Sequence, residues 1–68
     1  MNNERRLKPL RKYEVTFDGE QEPITFTGDD MGFDVESDSY HFYNTGNIIR
    51  IIAAPGVEQI VVTPVDEA

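Results

Sequence analysis

Cysteine and tryptophan are both absent from this chain. Without thiols there is no disulfide framework and no thiolate metal site. A single histidine, His41, excludes the usual His-rich zinc clusters. No stretch approaches the roughly 18 consecutive apolar residues of a helical membrane span. Met1 to Lys12 is charged and no apolar run follows it, so it does not read as a secretory signal. The chain is therefore expected to be cytoplasmic, away from membranes and free of cofactors. Positive charge is also scarce past residue 12. Arg50 is the only Lys or Arg there, against twelve carboxylates.

The net charge of −7 is therefore unevenly divided. Arg5, Arg6, Lys8, Arg11 and Lys12 against Glu4 give +4 for residues 1–12, and Arg50 against the twelve carboxylates gives −11 for residues 13–68. The body should repel nucleic acid and attract basic surfaces, and the head should do the reverse. Pro9 removes an N–H and disfavours helical geometry at Lys8, so residues 1–12 read as a flexible basic arm. That arm either contacts nucleic acid or folds back on the acidic body. Residues 13–65 read as a single β domain and residues 66–68 as a tail. Sixty-eight residues bury only a modest core, so stability should be marginal without tight packing or self-association.

The strongest local pattern lies between Asp38 and Ala54. Tyr40, Phe42 and Tyr43, then Ile48, Ile49, Ile51 and Ile52, are strand formers on either side of Asn44-Thr45-Gly46-Asn47. Gly46 suits the positive φ of a four-residue hairpin loop, and Asn44 and Asn47 tolerate bent backbone. Upstream, Tyr13, Val15 and Phe17 alternate with Glu14, Thr16 and Asp18, and Ile24 and Phe26 alternate with Thr25 and Thr27. Met31, Phe33 and Val35 resume the alternation, with Gly28 and Gly32 suggesting a bulge or bend. Pro55-Gly56 ends the hairpin, residues 57–59 suggest a short single turn, and Ile60 to Val65 make a last strand. No stretch has helical periodicity. Five or six short strands predict an all-β fold: a small, strongly bent antiparallel barrel of the SH3-like kind.

Regular alternation through the central hairpin predicts two faces. Val15, Phe17, Ile24, Phe26, Phe33, Val35, Phe42, Ile49, Ile51, Ile60 and Val62 point inward, with Tyr13 and Tyr40 near the edges. His41, Tyr43, Ile48, Arg50 and Ile52 point outward. Such an outer strip of Tyr, Ile and Arg fits a binding surface, because Tyr and Arg are enriched in interfaces and large exposed apolar patches are uncommon in monomers. Cover by Leu7 and Leu10 of the arm, or by a second copy in a homodimer, is the alternative.

Enzymatic signatures are missing. Ser39 and His41 share a strand face, but no glycine-framed elbow surrounds the serine, and Asp38 falls on the other face. The run Asp29, Asp30, Asp34, Glu36 and Asp38 lacks the spacing of an EF-hand loop and reads as a solvated charged face. Alternate carboxylates such as Asp34 and Glu36 repeat at about 6.6 Å along a strand, near the spacing of phosphates on one DNA strand, which suits a nucleic-acid mimic.

The segments Tyr13-Glu14-Val15-Thr16-Phe17-Asp18-Gly19, Asp38-Ser39-Tyr40-His41-Phe42-Tyr43 and Gly46-Asn47-Ile48-Ile49-Arg50, with Pro55-Gly56 before the last strand, form a pattern over residues 13–63. That pattern resembles small all-β accessory proteins of bacteriophages and bacterial mobile elements. The resemblance implies a phage or bacterial origin and an accessory role, and with the missing catalytic signatures it leads to the expectation of a non-enzymatic inhibitor of a host protein. The expected partner is another protein, host or self, contacted through Tyr43, Ile48, Arg50, Ile52, His41, Asp34 and Glu36. Nucleic-acid binding through the arm and a structural role in a phage particle are the rival expectations.

Overall fold

The computed structural model describes residues 8–65; the expectations for residues 1–7 and 66–68 lie outside the described residues. Among the described residues there are six strands and no helix. They are β1 Arg11–Phe17, β2 Ile24–Gly28, β3 Asp30–Asp34, β4 Ser39–Asn44, β5 Asn47–Ala53 and β6 Val57–Pro64. They form two antiparallel three-stranded sheets of order β2-β1-β6 and β3-β4-β5. The fold is all-β, as the alternation predicts, but the sheets do not close into a barrel.

Two connections carry the chain between the sheets. The first is Asp29, the one residue between Gly28 at the end of β2 and Asp30 at the start of β3. The second is the turn Ala54-Pro55-Gly56-Val57, closed by the Val57 N–H donating to the Ala54 carbonyl at 3.0 Å. Pro55 supplies the first inner position of that turn and Gly56 the second, at φ 96°. The Asp18 N–H donates to the Gly56 carbonyl, and the Ala54 N–H to the Asp38 carbonyl, pinning the turn to both sheets. Residues 57–59 belong to β6 rather than to a separate turn. Arg11 and Lys12 belong to β1, so the body begins two residues earlier than the sequence pattern suggests.

The core lies between the sheets. Among the described residues, Tyr13, Val15 and Phe42 are its fully buried apolar members. Phe17, Ile24, Phe26, Met31, Tyr40, Ile52, Val57 and Ile60 pack around them. Tyr13, Phe26 and Phe42 form a mutually contacting aromatic trio with ring centroids 4.8 to 5.7 Å apart. Tyr13 and Phe26 are stacked and Phe42 meets both edge-on; aromatic pairs of either kind add about 0.5–1.5 kcal/mol each beyond the area they bury.

The β4–β5 hairpin departs from the expected loop. Asn44 and Asn47 are the last paired residues, and Thr45-Gly46 alone makes the turn, with φ of 49° and 84°. Two positive φ values define the turn type whose twist matches a hairpin, normally filled by Asn-Gly or Asp-Gly. A β-branched residue there is strained. The buried Asp29 carboxylate accepts a hydrogen bond from the Thr45 N–H at 2.9 Å, and the Asp29 N–H donates to the Tyr43 carbonyl. One residue from the sheet connection thus clamps the turn.

A bulge follows. Tyr43 pairs with Ile48 but Phe42 pairs with Arg50, which leaves Ile49 as an extra residue. A one-residue slip exchanges the faces of everything beyond it. Arg50 and Ile52 therefore share the core face with Phe42 and Tyr40, and Ile51 shares the outer face with His41. This corrects the predicted assignment of Ile51, Arg50 and Ile52. Val35 is also outside the core, 79% exposed in the turn between β3 and β4. Phe33, Ile49 and Val62 are exposed members of the predicted inward set as well.

Candidate functional site

The outer face of the sheet β3-β4-β5 gathers side chains able to contact a ligand. Pairing places Asp30, Gly32 and Asp34 of β3 opposite Tyr43, His41 and Ser39 of β4, and Ile51 opposite His41 on the other side. Ile48 stands across from Tyr43 beyond the bulge. Ile48 and Ile51 are 50% and 57% exposed, which is unusual for two isoleucines on neighbouring positions of one face.

Of the predicted contact residues, the structure brings His41, Tyr43, Ile48 and Asp34 together on this face. It separates Arg50 and Ile52 from them. The Arg50 guanidinium lies 4.9 Å from the centre of the Phe26 ring, a cation–π contact at the rim of the core. Ile52 packs against the core itself. Glu36 sits in the exposed turn between β3 and β4.

The acidic run is dispersed. Asp29 turns inward onto Thr45. Asp30 pairs with Lys8 at 2.5 Å, which lowers its pKa and raises that of Lys8. Asp34 accepts from Ser37. Among the described residues no group of three or more His or carboxylate side chains is placed to hold a metal ion.

Asp34 anchors a hydrogen-bonded chain. Its Oδ2 accepts from the Ser37 N–H at 3.1 Å and from the Ser37 hydroxyl at 2.5 Å. Ser37 Oγ is 2.6 Å from Ser39 Oγ, which is 3.2 Å from His41 Nε2. Each hydroxyl carries one proton. Ser37 gives its proton to Asp34, so Ser39 donates to Ser37 and the His41 Nε2–H donates to Ser39. The chain thus runs from the imidazole to the carboxylate. The Ser37 hydroxyl and N–H, in that order, hold the Asp34 carboxyl below its ordinary pKa of 3.8.

That direction is opposite to the one nucleophilic catalysis uses. There, a serine hydroxyl donates to the imidazole and the acid orients the other ring nitrogen. Here Ser39 is 4% exposed and accepts from His41. The four groups act as a brace that fixes the β3–β4 turn and the His41 ring.

Beside the brace is a shallow hollow of about 130 Å³ lined by Gly32, Phe33, Asp34, His41 and Tyr43. Gly32 forms its floor. No positive φ requires glycine at this position, and a Cβ there would meet open space. Gly28, in contrast, is needed for the connection between the sheets, because a Cβ would stand 2.7 Å from the Tyr43 carbonyl oxygen. Sequence reading treats both glycines as bends. The signal that tells them apart is register: Gly32 lies inside an uninterrupted β3–β4 ladder. A glycine in such a ladder, free of backbone demand, leaves room for another group to come close to the strand.

Comparison with known proteins gives no family model, curated protein or solved structure that matches this chain. Among the described residues no helix is long and apolar enough to cross a membrane.

Proposed function

We propose that this chain is a non-enzymatic protein-binding module that captures another protein on the outer face of β3-β4-β5. The observation that carries this reading is the pair of half-exposed isoleucines, Ile48 and Ile51, set beside Tyr43 and the Gly32 hollow. An apolar and aromatic centre with a carboxylate at its rim has the anatomy of a contact patch. The net charge of −7 steers basic partners toward it. In this reading the protein is a cytoplasmic inhibitor of a host protein, carried by a phage or mobile element, and its acidic surface competes for a groove that otherwise takes a polyanion. An SH3-like but open arrangement of the two bent sheets belongs to the same proposal. Its support is the path of the chain, which passes between the sheets at a single bend, Gly28-Asp29, in the β2–β3 run.

Nucleic-acid binding by the basic arm is less well supported. Lys8 is engaged by Asp30, and Arg11 and Lys12 are built into β1. Self-association has one observation in its favour. β5 is a sheet edge that exposes Ile48, Ile49 and Ile51, and such edges are pairing sites.

Affinity capture from bacterial lysate, followed by titration of the captured protein, tests the reading. Tyr43→Ala and Ile48→Asp should each weaken binding at least about tenfold, the loss of one contact residue worth about 1.4 kcal/mol, with unchanged circular dichroism. Equal affinity for both variants would remove this face from the account. A dimer seen by light scattering, and dissolved by Ile48→Asp, would reassign the face to self-assembly.

A further inference from the structure

The hollow on this face has a chemistry of its own, and its use as a seat for a ligand rests on the protein-binding reading. Asp34 and His41 offer it acceptors, and the Tyr43 hydroxyl can donate as well as accept. Asp34 Oδ2 takes both bonds from Ser37, and Oδ1 accepts none among the described residues. With His41 Nε2 turned to Ser39, Nδ1 is the ring nitrogen left over, and it is an acceptor in the tautomer that carries its proton on Nε2. Tyr43 adds an aromatic ring two residues along the same strand face. The bare Gly32 floor opens space between them.

Two acceptors and a ring beside an open floor call for a flat, multiply donating cation. A guanidinium fits each demand. Its N–H fork reaches carboxylate and imidazole acceptors, and its plane stacks on an aromatic ring. An ammonium satisfies the charge but neither the fork nor the stacking. The size agrees, since about 130 Å³ has room for one guanidinium with its last methylene. The net charge of −11 over residues 13–68 supplies the long-range attraction. Lys8, a cation of the chain itself, is already engaged by Asp30.

We infer that the hollow formed by Gly32, Asp34, His41 and Tyr43 is a seat for one arginine side chain of the partner protein. The brace through Ser37 and Ser39 serves to hold both acceptors in place before binding, so no ordering is required at the moment of contact.

The test is titration of the ¹⁵N-labelled full chain with N-acetyl-arginine methylamide, followed by amide shifts at constant ionic strength. Lysine and citrulline analogues are run beside it, and calcium chloride serves as the metal control. The arginine probe should bind in the millimolar range, with shifts centred on residues 32, 34, 41 and 43. The lysine probe should be weaker by about threefold or more, and the neutral citrulline probe should be silent. Asp34→Asn should weaken the arginine probe about tenfold, as loss of one charge-assisted contact requires. Gly32→Val should block it while leaving the fold intact, because the new side chain enters open space and valine favours strands.

Equal, diffuse shifts from the arginine and lysine probes across the acidic surface would overturn the inference. So would an undiminished response in Gly32→Val, or a calcium response centred on Asp34. If the captured partner still binds Asp34→Asn and Gly32→Val but not Ile48→Asp, the arginine seat fails while the protein-binding reading stands. Loss of binding in none of the three variants would fail both.

Discussion

Phe42→Ala is expected to unfold the domain at room temperature. The side chain is fully buried at the centre of the aromatic trio, edge-on to both Tyr13 and Phe26. Truncating a buried phenylalanine costs about 3–5 kcal/mol through lost transfer energy and the cavity left behind. A domain of this size has only about 3–10 kcal/mol in total. Among the described residues, just two other apolar side chains are fully buried, so neighbouring groups have little slack with which to close the gap. Urea titration should find the mutant at or past its midpoint without denaturant. Val35→Ala, at a position 79% exposed, should keep the wild-type midpoint. A Phe42→Ala protein that loses less than about 1 kcal/mol would mean the core lies elsewhere.

Gly28→Ala is expected to destabilise nearly as strongly, for a different reason. The added methyl would stand 2.7 Å from the Tyr43 carbonyl oxygen, 3.3 Å from Ile49 Cδ1 and 3.6 Å from the Tyr13 ring. The oxygen is backbone and already accepts from the Asp29 N–H, so it cannot yield without breaking that bond. Overpacking costs about 1–3 kcal/mol and the broken hydrogen bond about 1 more. The damage should spread to the Thr45-Gly46 turn, because Asp29 holds it through the Thr45 N–H. Differential scanning calorimetry should show a lowered midpoint, with the amides of 44–47 shifted in NMR spectra. Gly32→Ala serves as the control, since its Cβ meets nothing. Equal stability of the two alanine variants would contradict the distinction drawn between these glycines.

The all-β class is legible in the sequence because strand alternation is a local property. Tyr13, Val15 and Phe17 against Glu14 and Thr16 announce their strand, and Pro55-Gly56 announces its turn with the residues that turn type demands. Closure of the sheets and the faces of β5 are not local. Regular alternation past Asn47 assigns Ile51 inward and Ile52 outward. The extra residue at Ile49 reverses both, and nothing in the run Ile48-Ile49-Arg50-Ile51-Ile52 marks it, since four isoleucines suit either face. Arg50 illustrates the cost of that blindness. As the lone cation past residue 12 it reads as a contact residue, yet its guanidinium lies 4.9 Å from the centre of the Phe26 ring, at the rim of the core.

The candidate site is legible in part for the same reason. His41 and Tyr43 precede the bulge, so alternation alone places them on the outer face. Asp34 is identifiable as a rim carboxylate, but its bond to Ser37 depends on a turn in which Asp38 takes a positive φ of 55°. Gly32 looks like a bend from sequence because a glycine in a strand carries no label saying whether backbone or neighbour demands it. Only the pairing register and the open space above it answer that question.

The reading of the outer face depends on the bulge more than on any other feature. Contacts in a methyl and aromatic NOE spectrum of the full chain test it most directly. The account predicts contacts from the Ile52 methyls to the Tyr40 and Phe42 rings, and contacts from Ile51 to His41 with none to Phe42. Contacts from the Ile51 methyls to the Phe42 ring, with Ile52 showing only solvent-facing neighbours, would contradict it and return Arg50 and Ile52 to the binding face.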